Sequence, residues 1–403
     1  MISTFFLKED NNANILDTSI LDIKLISTTN HGDVFENLRS AVEWSIANDE
    51  DAIYCVCDND FRSDFNLDDL NELINDLASE KIYSFYVNAN YEGSIPVDTD
   101  LRVISNITSV TSFILLSPIY ESVLSLLNEL VSSEVDFNKF IELFIPNAFL
   151  LLKNDISEIK TNKLHIISPF RNVINYIDDY LMSIISQRFI NYRIILIDDC
   201  STDGCTKKIP DLPFIKKIIN NERKYALQNI VSTLTNEYFE DDDIICLVDA
   251  DDMLTNKYVL DIINNSYEIK PILMTYGSMS YIGSLMKLGE PYSEKEFKDL
   301  REINWKLTHF RTFKYKVFKE LLNQDKNLDC LRNSDGEIFK MPYDMAVLFP
   351  MMELVGYENI QFINTSTYKY RLHPDNDHHI NRDEQYACEI QIRNKPKFNR
   401  FFS

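Results

Sequence analysis

The sequence predicts an α/β protein of two domains, the second built on an open and largely parallel sheet. Three observations carry that expectation. The run Ile194–Ile197 is wholly apolar and mostly β-branched, and it ends abruptly in Asp198 and Asp199. The run Ile244–Val248 does the same and ends in Asp249, Asp251 and Asp252. Around them the elements alternate in β-α-β-β-α-β order. Buried parallel strands read as short apolar runs, and ligands of open α/β sheets collect beyond the carboxyl ends of the strands.

In the first half, Leu21–Ile26 and Ala52–Cys57 read as strands, the second ending in Asp58-Asn59-Asp60. Asn66 is placed to cap a helix carrying Leu67, Leu70, Leu73, Ile74 and Leu77 on one face. Ile82–Val87 and Ser112–Leu116 read as further strands, and Pro118–Val131 as a helix. The polar stretch Lys153–Lys163 is the best domain boundary, giving domains 1–158 and 159–403.

The second half opens with a strand at Leu164–Ile167 and a helix with Val173, Ile177, Leu181, Ile184 and Ile185 in register. Tyr192–Ile197 and Phe214–Ile219 read as strands, Tyr225–Leu234 as a helix, Ile244–Val248 as a strand and Lys257–Asn265 as a helix. Beyond Pro271 the pattern loosens, and the C-terminal tail is locally basic, with Arg382, Arg393, Lys395, Lys397 and Arg400.

A chain of 403 residues exceeds what one core usually supports, and 45% apolar residues are ample for two. The net charge of −23 argues against a nucleic-acid groove, which needs clustered Lys and Arg. The seven cysteines form no CxxC pair and read as buried reduced thiols. The N-terminus has neither a basic n-region nor an apolar h-region, and no run approaches a membrane span. The expectation is a soluble cytoplasmic protein, with self-association into a homo-oligomer left open.

Asp199 sits where a nucleobase or ribose could lie, and a carboxylate there accepts an imide N–H or a ribose hydroxyl; Asp198, Asp199 and Ser201 also suit an Asx-type turn. Asp249, Asp251 and Asp252 repel one another unless a cation or water stands among them. Hard oxygen ligands suit Mg²⁺ or Mn²⁺, which keep positions open for diphosphate oxygens. The neighbouring acids Glu240–Asp243 read as a solvated strand entry.

The segment Leu164-His165-Ile166-Ile167-Ser168-Pro169-Phe170-Arg171-Asn172 resembles the opening strand of family 2 glycosyltransferases. Ser183…Gln187, followed by Ile197-Asp198-Asp199-Cys200-Ser201-Thr202-Asp203-Gly204, is similar to that family's second strand and its Asp-Asp-x-Ser-x-Asp turn. Val248-Asp249-Ala250-Asp251-Asp252 resembles its metal-binding DxD motif. The three stand in the family's order over about 160–265, with a weaker extension to about 373.

The resemblance implies a GT-A fold (a Rossmann-like nucleotide-diphospho-sugar transferase sheet) and inverting transfer of a sugar from a nucleotide donor. Pro169, Asp198 and Asp199 would line the nucleoside, and Asp251 would hold Mn²⁺ or Mg²⁺ on the diphosphate, with Asp249 contacting the ribose or the metal. Lys224 falls where the family often places a base- or phosphate-contacting cation, although the glycine usual in that segment is absent. Asp344, before an apolar helix, resembles the family's base, with Tyr343 in place of the usual preceding acid and Asp335 and Glu337 as competitors; an ordinary N-cap is the other reading. His309 and Arg311 lie in a segment like the one lining the donor sugar, and His373 in a loop like the one closing over the diphosphate as a third metal ligand. Trp305 would stack on a sugar or pack in the core, and His378-His379 reads as an exposed pair.

The expected function is metal-dependent transfer of a hexose, glucose or galactose, from a UDP-sugar to a hydroxyl on a glycan or protein. A catalytically inactive sugar-nucleotide-binding or scaffold protein and a nucleotidyltransferase are the alternatives. The N-terminal domain, through Asp58-Asn59-Asp60, faintly resembles a second GT-A unit, accessory or active.

Overall fold

The computed structural model describes residues 3–6, 25–27, 34–57, 67–98, 100–130, 136–145, 148–152, 159–284, 286–374 and 382–402. The chain divides into two compact units, Met1–Ser157 and Glu158–Ser403, and the break falls inside the polar stretch expected from the sequence.

Unit 1 carries β1 (Ser3–Phe6), β2 (Leu25–Ser27), α1 (Val34–Ala47), β3 (Ala52–Val56), α2 (Leu67–Ser79), β4 (Ser84–Pro96), β5 (Leu101–Leu116), α3 (Tyr120–Leu130), α4 (Phe137–Phe144) and β6 (Phe149–Leu151). Its sheet runs β2-β1-β3-β5-β4-β6. Strand β1 is parallel to β2 and β3, β5 is antiparallel to β3 and β4, and β6 returns parallel to β4. Leu38 and Val42 of α1, Phe113 and Leu115 of β5, and Phe140 and Ile141 of α4 meet in one core. The sequence foretold only the ends of β4 and β5. Their outer halves, Asn88–Gly93 against Ser105–Ser112, are polar and held by the backbone ladder, so no apolar run marks them. Asp58-Asn59-Asp60, Asn66 and His378-His379 lie outside the described residues.

Unit 2 carries β7 (Leu164–Phe170), α5 (Ile177–Ile185), β8 (Tyr192–Asp198), β9 (Ile215–Ile219), α6 (Tyr225–Asn236), β10 (Ile244–Leu247), β11 (Met253–Leu254) and α7 (Val259–Ile269). It continues with β12 (Met274–Tyr281), β13 (Lys287–Leu288), α8 (Glu294–Lys298), β14 (Arg311–Lys314), α9 (Tyr315–Gln324), α10 (Tyr343–Val355), β15 (Ile360–Tyr370) and α11 (Arg382–Arg393). The sheet order is β11-β15-β12-β14-β10-β7-β8-β9, with β13 on β12. Strands β10, β7, β8 and β9 are parallel, so β7 leaves for β8 on one side while β10 returns on the other. That reversal opens a crevice at the carboxyl ends of β7, β8 and β10. Antiparallel β14 then flanks β10. Helix α10 is buried from Met345 to Met352 at every position, which is why its sequence is apolar all round rather than amphipathic.

One expectation is corrected here. Asp243 is not a solvated strand entry: it is 7% exposed and accepts from His165 Nε2 at 2.7 Å and from the Glu240 N–H at 3.0 Å. Arg193 donates to the other His165 nitrogen. Burial and then the Arg193 charge push His165 down to about 4, so the ring stays neutral and joins β7 to β8 and to the turn before β10. Asp241 and Asp242 do face solvent, pairing with Lys319, Lys314 and Lys316. Trp305 is half-buried and packs edge-on against Phe349 at 4.8 Å, on the margin of the core.

Candidate functional site: an acid-tipped sheet edge

Two halves of a site meet along the β8-β7-β10 edge. In the first, Phe170 and Asp198 stand level as the last paired residues of β7 and β8, with Pro169 opposite Ile197. Asp198 accepts from the Ser201 N–H at 2.7 Å and from the Thr206 hydroxyl, fixing the turn that Gly204 completes at φ +86°. Asp199 turns toward α6 and accepts from the Lys224 N–H at 2.7 Å, the Tyr225 N–H at 3.0 Å and Asn229 Nδ2 at 3.0 Å. Lys224 and its neighbours supply no side-chain cap of their own, so a carboxylate borrowed from β8 holds the positive end of α6. The Arg171 guanidinium bridges the Asp199 and Cys200 carbonyls at 2.8 and 2.5 Å. Thus Asp198, Asp199 and the Lys224 backbone build the floor of this half. The Arg223 guanidinium and the Lys340 ammonium approach the Tyr225 ring at 4.2 and 5.3 Å, leaving the α6 end cationic.

The second half gathers six predicted residues: Asp249, Asp251, His309, Arg311, Asp344 and His373. Asp249 Oδ1 accepts from the Tyr343 hydroxyl at 2.7 Å, and its N–H donates to the Tyr368 hydroxyl at 3.0 Å. His309 Nε2 lies 3.9 Å from Asp249 Oδ2, and its ring stacks on Tyr368 with centroids 4.4 Å apart. Burial and then Arg311 push His309 well below the usual imidazole range, so it is neutral. Gly277 makes that placement possible: a Cβ there would stand 3.3 Å from the Phe310 nitrogen and 2.8 Å from Thr367 Oγ1. Arg311 is buried, donates to the Leu307 carbonyl at 2.9 Å and pairs with Asp344 Oδ2 at 2.7 Å. Asp344 follows Tyr343 in the first turn of α10 rather than capping it, since Pro342 holds the cap position.

Asp251 Oδ2 is 2.9 Å from His373 Nε2. The segment after β15 folds over the acids: the Arg371 N–H donates to Asp252 Oδ1 at 2.7 Å, its Nε to the Asp251 carbonyl at 2.8 Å, and its Nη2 to Asp179 at 2.7 Å. Tyr176 packs beneath both Arg371 and His373. Asp252 is itself buried, and its Oδ2 has no partner in hydrogen-bonding geometry, with the Tyr368 hydroxyl beside it.

Sequence reasoning missed Tyr176, Asp179, Tyr368 and Arg371, and noted Tyr343 only as a departure from the family. The alternation of Tyr368 and Tyr370, which puts both on one face of β15, was the available signal. Asp335 and Glu337, offered as rivals to Asp344, are exposed in a turn of their own.

Two carboxylates and an imidazole on a sheet edge are a donor set for Mg²⁺ or Mn²⁺. Among the described residues no three such side chains close into a shell by themselves. Any cation held by Asp251, with Asp249 and His373 beside it, would need ligand oxygens to complete its shell. The cost of leaving the acids uncompensated is visible. Burial and then the Asp251 charge raise Asp249 to about 7, against the Tyr343 hydrogen bond, and burial and then Asp251 raise Asp252 to about 9. A carboxyl whose folded pKa exceeds its unfolded value stabilises the fold while protonated, and that stability is lost as pH rises toward the folded pKa. In chelator the unfolding temperature is therefore expected to fall between pH 5 and pH 8, and Mn²⁺ to restore it at pH 8. A profile that stays flat in chelator would contradict the crowding.

A Rossmann-like edge with acids at the tip of β10 and a third carboxylate facing them from α10 defines a GT-A nucleotide-sugar transferase fold. Residues 165–324 match the family model Glycosyl transferase family 2, so unit 2 carries a family 2 glycosyltransferase domain. No curated protein matches the chain. Similar solved structures include S. aureus TarS 1-349 in complex with UDP, at 18% identity and TM-score 0.39 over 53% of this chain and 61% of that one. The complex of the same protein with UDP-GlcNAc gives 17%, 0.37, 52% and 59%. The mannosyltransferase PcManGT from Pyrobaculum calidifontis, with GDP-Man and Mn²⁺, gives 15%, 0.29, 41% and 49%. The chain spans about three fifths of the TarS 1-349 structures it matches. The family match, not these likenesses, carries the assignment. Among the described residues no helix is long and apolar enough to cross a membrane.

Proposed function

We propose that unit 2 transfers a hexosyl group, glucose or galactose, from a UDP-sugar to a hydroxyl on a glycan or protein acceptor, with inversion. The observation that carries this reading is the meeting of Asp249 with Tyr343 at 2.7 Å, which sets the DxD acids of β10 against the Asp344 carboxylate of α10. In a single displacement the acceptor oxygen bonds to the anomeric carbon as the bond to the diphosphate oxygen breaks. The acceptor's proton passes to Asp344, and a nucleoside diphosphate leaves.

Asp251, with Asp249 and His373, would hold Mn²⁺ or Mg²⁺; such a cation supplies charge stabilisation to the leaving diphosphate. Arg311 holds Asp344 Oδ2 at 2.7 Å and the Met345 N–H donates to Oδ1 at 2.9 Å, which together fix the carboxylate's orientation. Neutral His309, packed between Asp249 and Tyr368, offers a face to the donor sugar without adding charge. The Asp199-bound end of α6, with Arg223, Lys224 and Lys340 near it, suits the nucleoside and its phosphates.

A panel of UDP-sugars, with GDP-mannose as the contrasting donor, incubated with Mn²⁺ and assayed for released nucleoside diphosphate tests this. Release from UDP-glucose or UDP-galactose above the others is expected. Failure of UDP to bind would overturn this reading, and UDP binding without release from any donor would favour the inactive sugar-nucleotide-binding or scaffold protein.

A further inference from the structure

Unit 1 repeats the plan of unit 2 strand for strand. In chain order β1, β2, β3, β4, β5 and β6 answer to β7, β8, β10, β12, β14 and β15. In space the first set runs β2-β1-β3-β5-β4-β6 and the second β8-β7-β10-β14-β12-β15. Every shared pairing has the same sense. The pairs β1–β2, β1–β3 and β4–β6 are parallel, as are β7–β8, β7–β10 and β12–β15. The pairs β3–β5 and β4–β5 are antiparallel, as are β10–β14 and β12–β14. The helices fall in the same gaps: α1 and α6 before the third shared strand, α2 and α7 after it, α3 and α9 after the antiparallel strand, and α4 and α10 before the last. Among the described residues, unit 2 has β9, β11, β13, α5, α8 and α11 beside that shared frame.

Register turns the shared plan into residue equivalences. Val56, the last residue of β3, pairs with Phe6 and Ser112; Leu247, the last of β10, pairs with Ile167 and Arg311. Laying Val56 on Leu247 sets Ser112 on Arg311 and Val110 on His309. The helix caps give the rest. Asp136 caps α4 and Pro342 caps α10, so Phe137 stands for Tyr343 and Asn138 for Asp344. Asn138 Oδ1 accepts from the Val110 N–H of β5 at 3.0 Å, joining the same two elements that the Asp344–Arg311 ion pair joins in unit 2. In sequence Asp58 and Asp60 fall on Asp249 and Asp251; those two lie outside the described residues, and no site is built on them.

Asp58 and Asp60 keep the spacing of Asp249 and Asp251 in sequence, whereas the equivalences around the base remove its chemistry and keep the shape. The base carboxylate becomes a carboxamide, which holds a hydrogen bond and takes no proton at neutral pH. The tyrosine loses its hydroxyl, the guanidinium becomes a serine hydroxyl, and the imidazole becomes an isopropyl group. We infer that unit 1 is a second GT-A unit, a copy in which the base and the groups around it have been replaced while two acids of the strand tip are kept in sequence, so that each chain holds one transferase site, in unit 2. The inference rests on the proposed function of unit 2.

The test uses the full chain. With the donor that wild type accepts, Asp251→Asn/Asp344→Asn is expected to lose turnover to the uncatalysed background, a drop of at least ~100-fold. Asn138→Ala, which removes the side chain standing in for Asp344, is expected to leave kcat within about two-fold of wild type. A double variant with the wild-type circular dichroism spectrum that keeps about a tenth or more of the activity would overturn the inference, because a second site would then be turning over. So would a ten-fold or larger loss of kcat in a folded Asn138→Ala chain. Should the double variant fail to fold, Asp251→Asn alone carries the test, since that side chain is a quarter exposed. Wild type inactive toward every donor is a different result, which overturns the functional reading itself.

Discussion

Asp251→Asn is expected to weaken Mn²⁺-dependent UDP binding by at least ~100-fold, about 2.7 kcal/mol, and to lower kcat/KM by as much or more. An amide keeps the size of the carboxylate but loses the charge that a bridging cation needs. The same change should not destabilise the fold. Asp251 is a quarter exposed, its side chain meets His373, and its charge pushes against Asp249 and Asp252. In chelator the variant should therefore melt at or above the wild-type temperature. Calorimetric titration of UDP with Mn²⁺ and with chelator, beside thermal melts, separates the two effects. Titrations of variant and wild type that superimpose in Mn²⁺ would remove Asp251 from the metal site.

Asp344→Asn is expected to act on the other term, lowering kcat by about 10²–10⁴-fold while leaving UDP affinity within about three-fold. The residue stands on α10, away from the expected nucleoside half, and faces Asp249 only through Tyr343. Asparagine can still accept from Arg311, so the buried guanidinium keeps a hydrogen-bond partner and loses only the charge pairing. Asp344→Glu gives a second reading, since it returns a carboxylate about one methylene displaced and should recover part of the rate. Equal losses in kcat and UDP affinity, or an Asn variant as fast as wild type, would place the base elsewhere.

Much of the sheet was legible because it is buried on both faces. Runs such as Ile194–Ile197 and Ile244–Leu247 carry no alternation and no polar interruption, and each ends where its acid begins. Strands β12, β14 and β15 were not legible. Their residues mix Ser, Thr, Lys and Tyr in half-polar patterns that acquire meaning only when paired, and β12 shifts register against β15 near Gly277. The acid clusters divided in the same way. Composition alone made Glu240–Asp243 look solvated, yet Asp243 lies under His165 because β7 passes directly beside β10.

For Asp199 the sequence left a ligand carboxylate and a turn residue as alternatives. The fold gives its oxygens to the N–H groups that begin α6, a use that depends on where a helix some twenty-five residues later is docked.

By itself the sequence determined that this is an α/β chain with acids at the tips of two apolar strands, since local hydrophobicity and turn chemistry decide those features; that β7 stands between the two strands was decided by the fold. The tertiary structure alone decided which acids meet which partners: Tyr343 on Asp249, Arg311 on Asp344, His373 on Asp251. These pairs join residues from about thirty to more than a hundred positions apart, and only the crossing of β14, α10 and β15 over the end of β10 brings them within hydrogen-bonding distance. The same reason left the inferred kinship of the two units only faint in the sequence, through Asp58-Asn59-Asp60. Their resemblance lies in strand order and pairing sense, which backbone hydrogen bonds fix, and among side chains only in the acids Asp58 and Asp60.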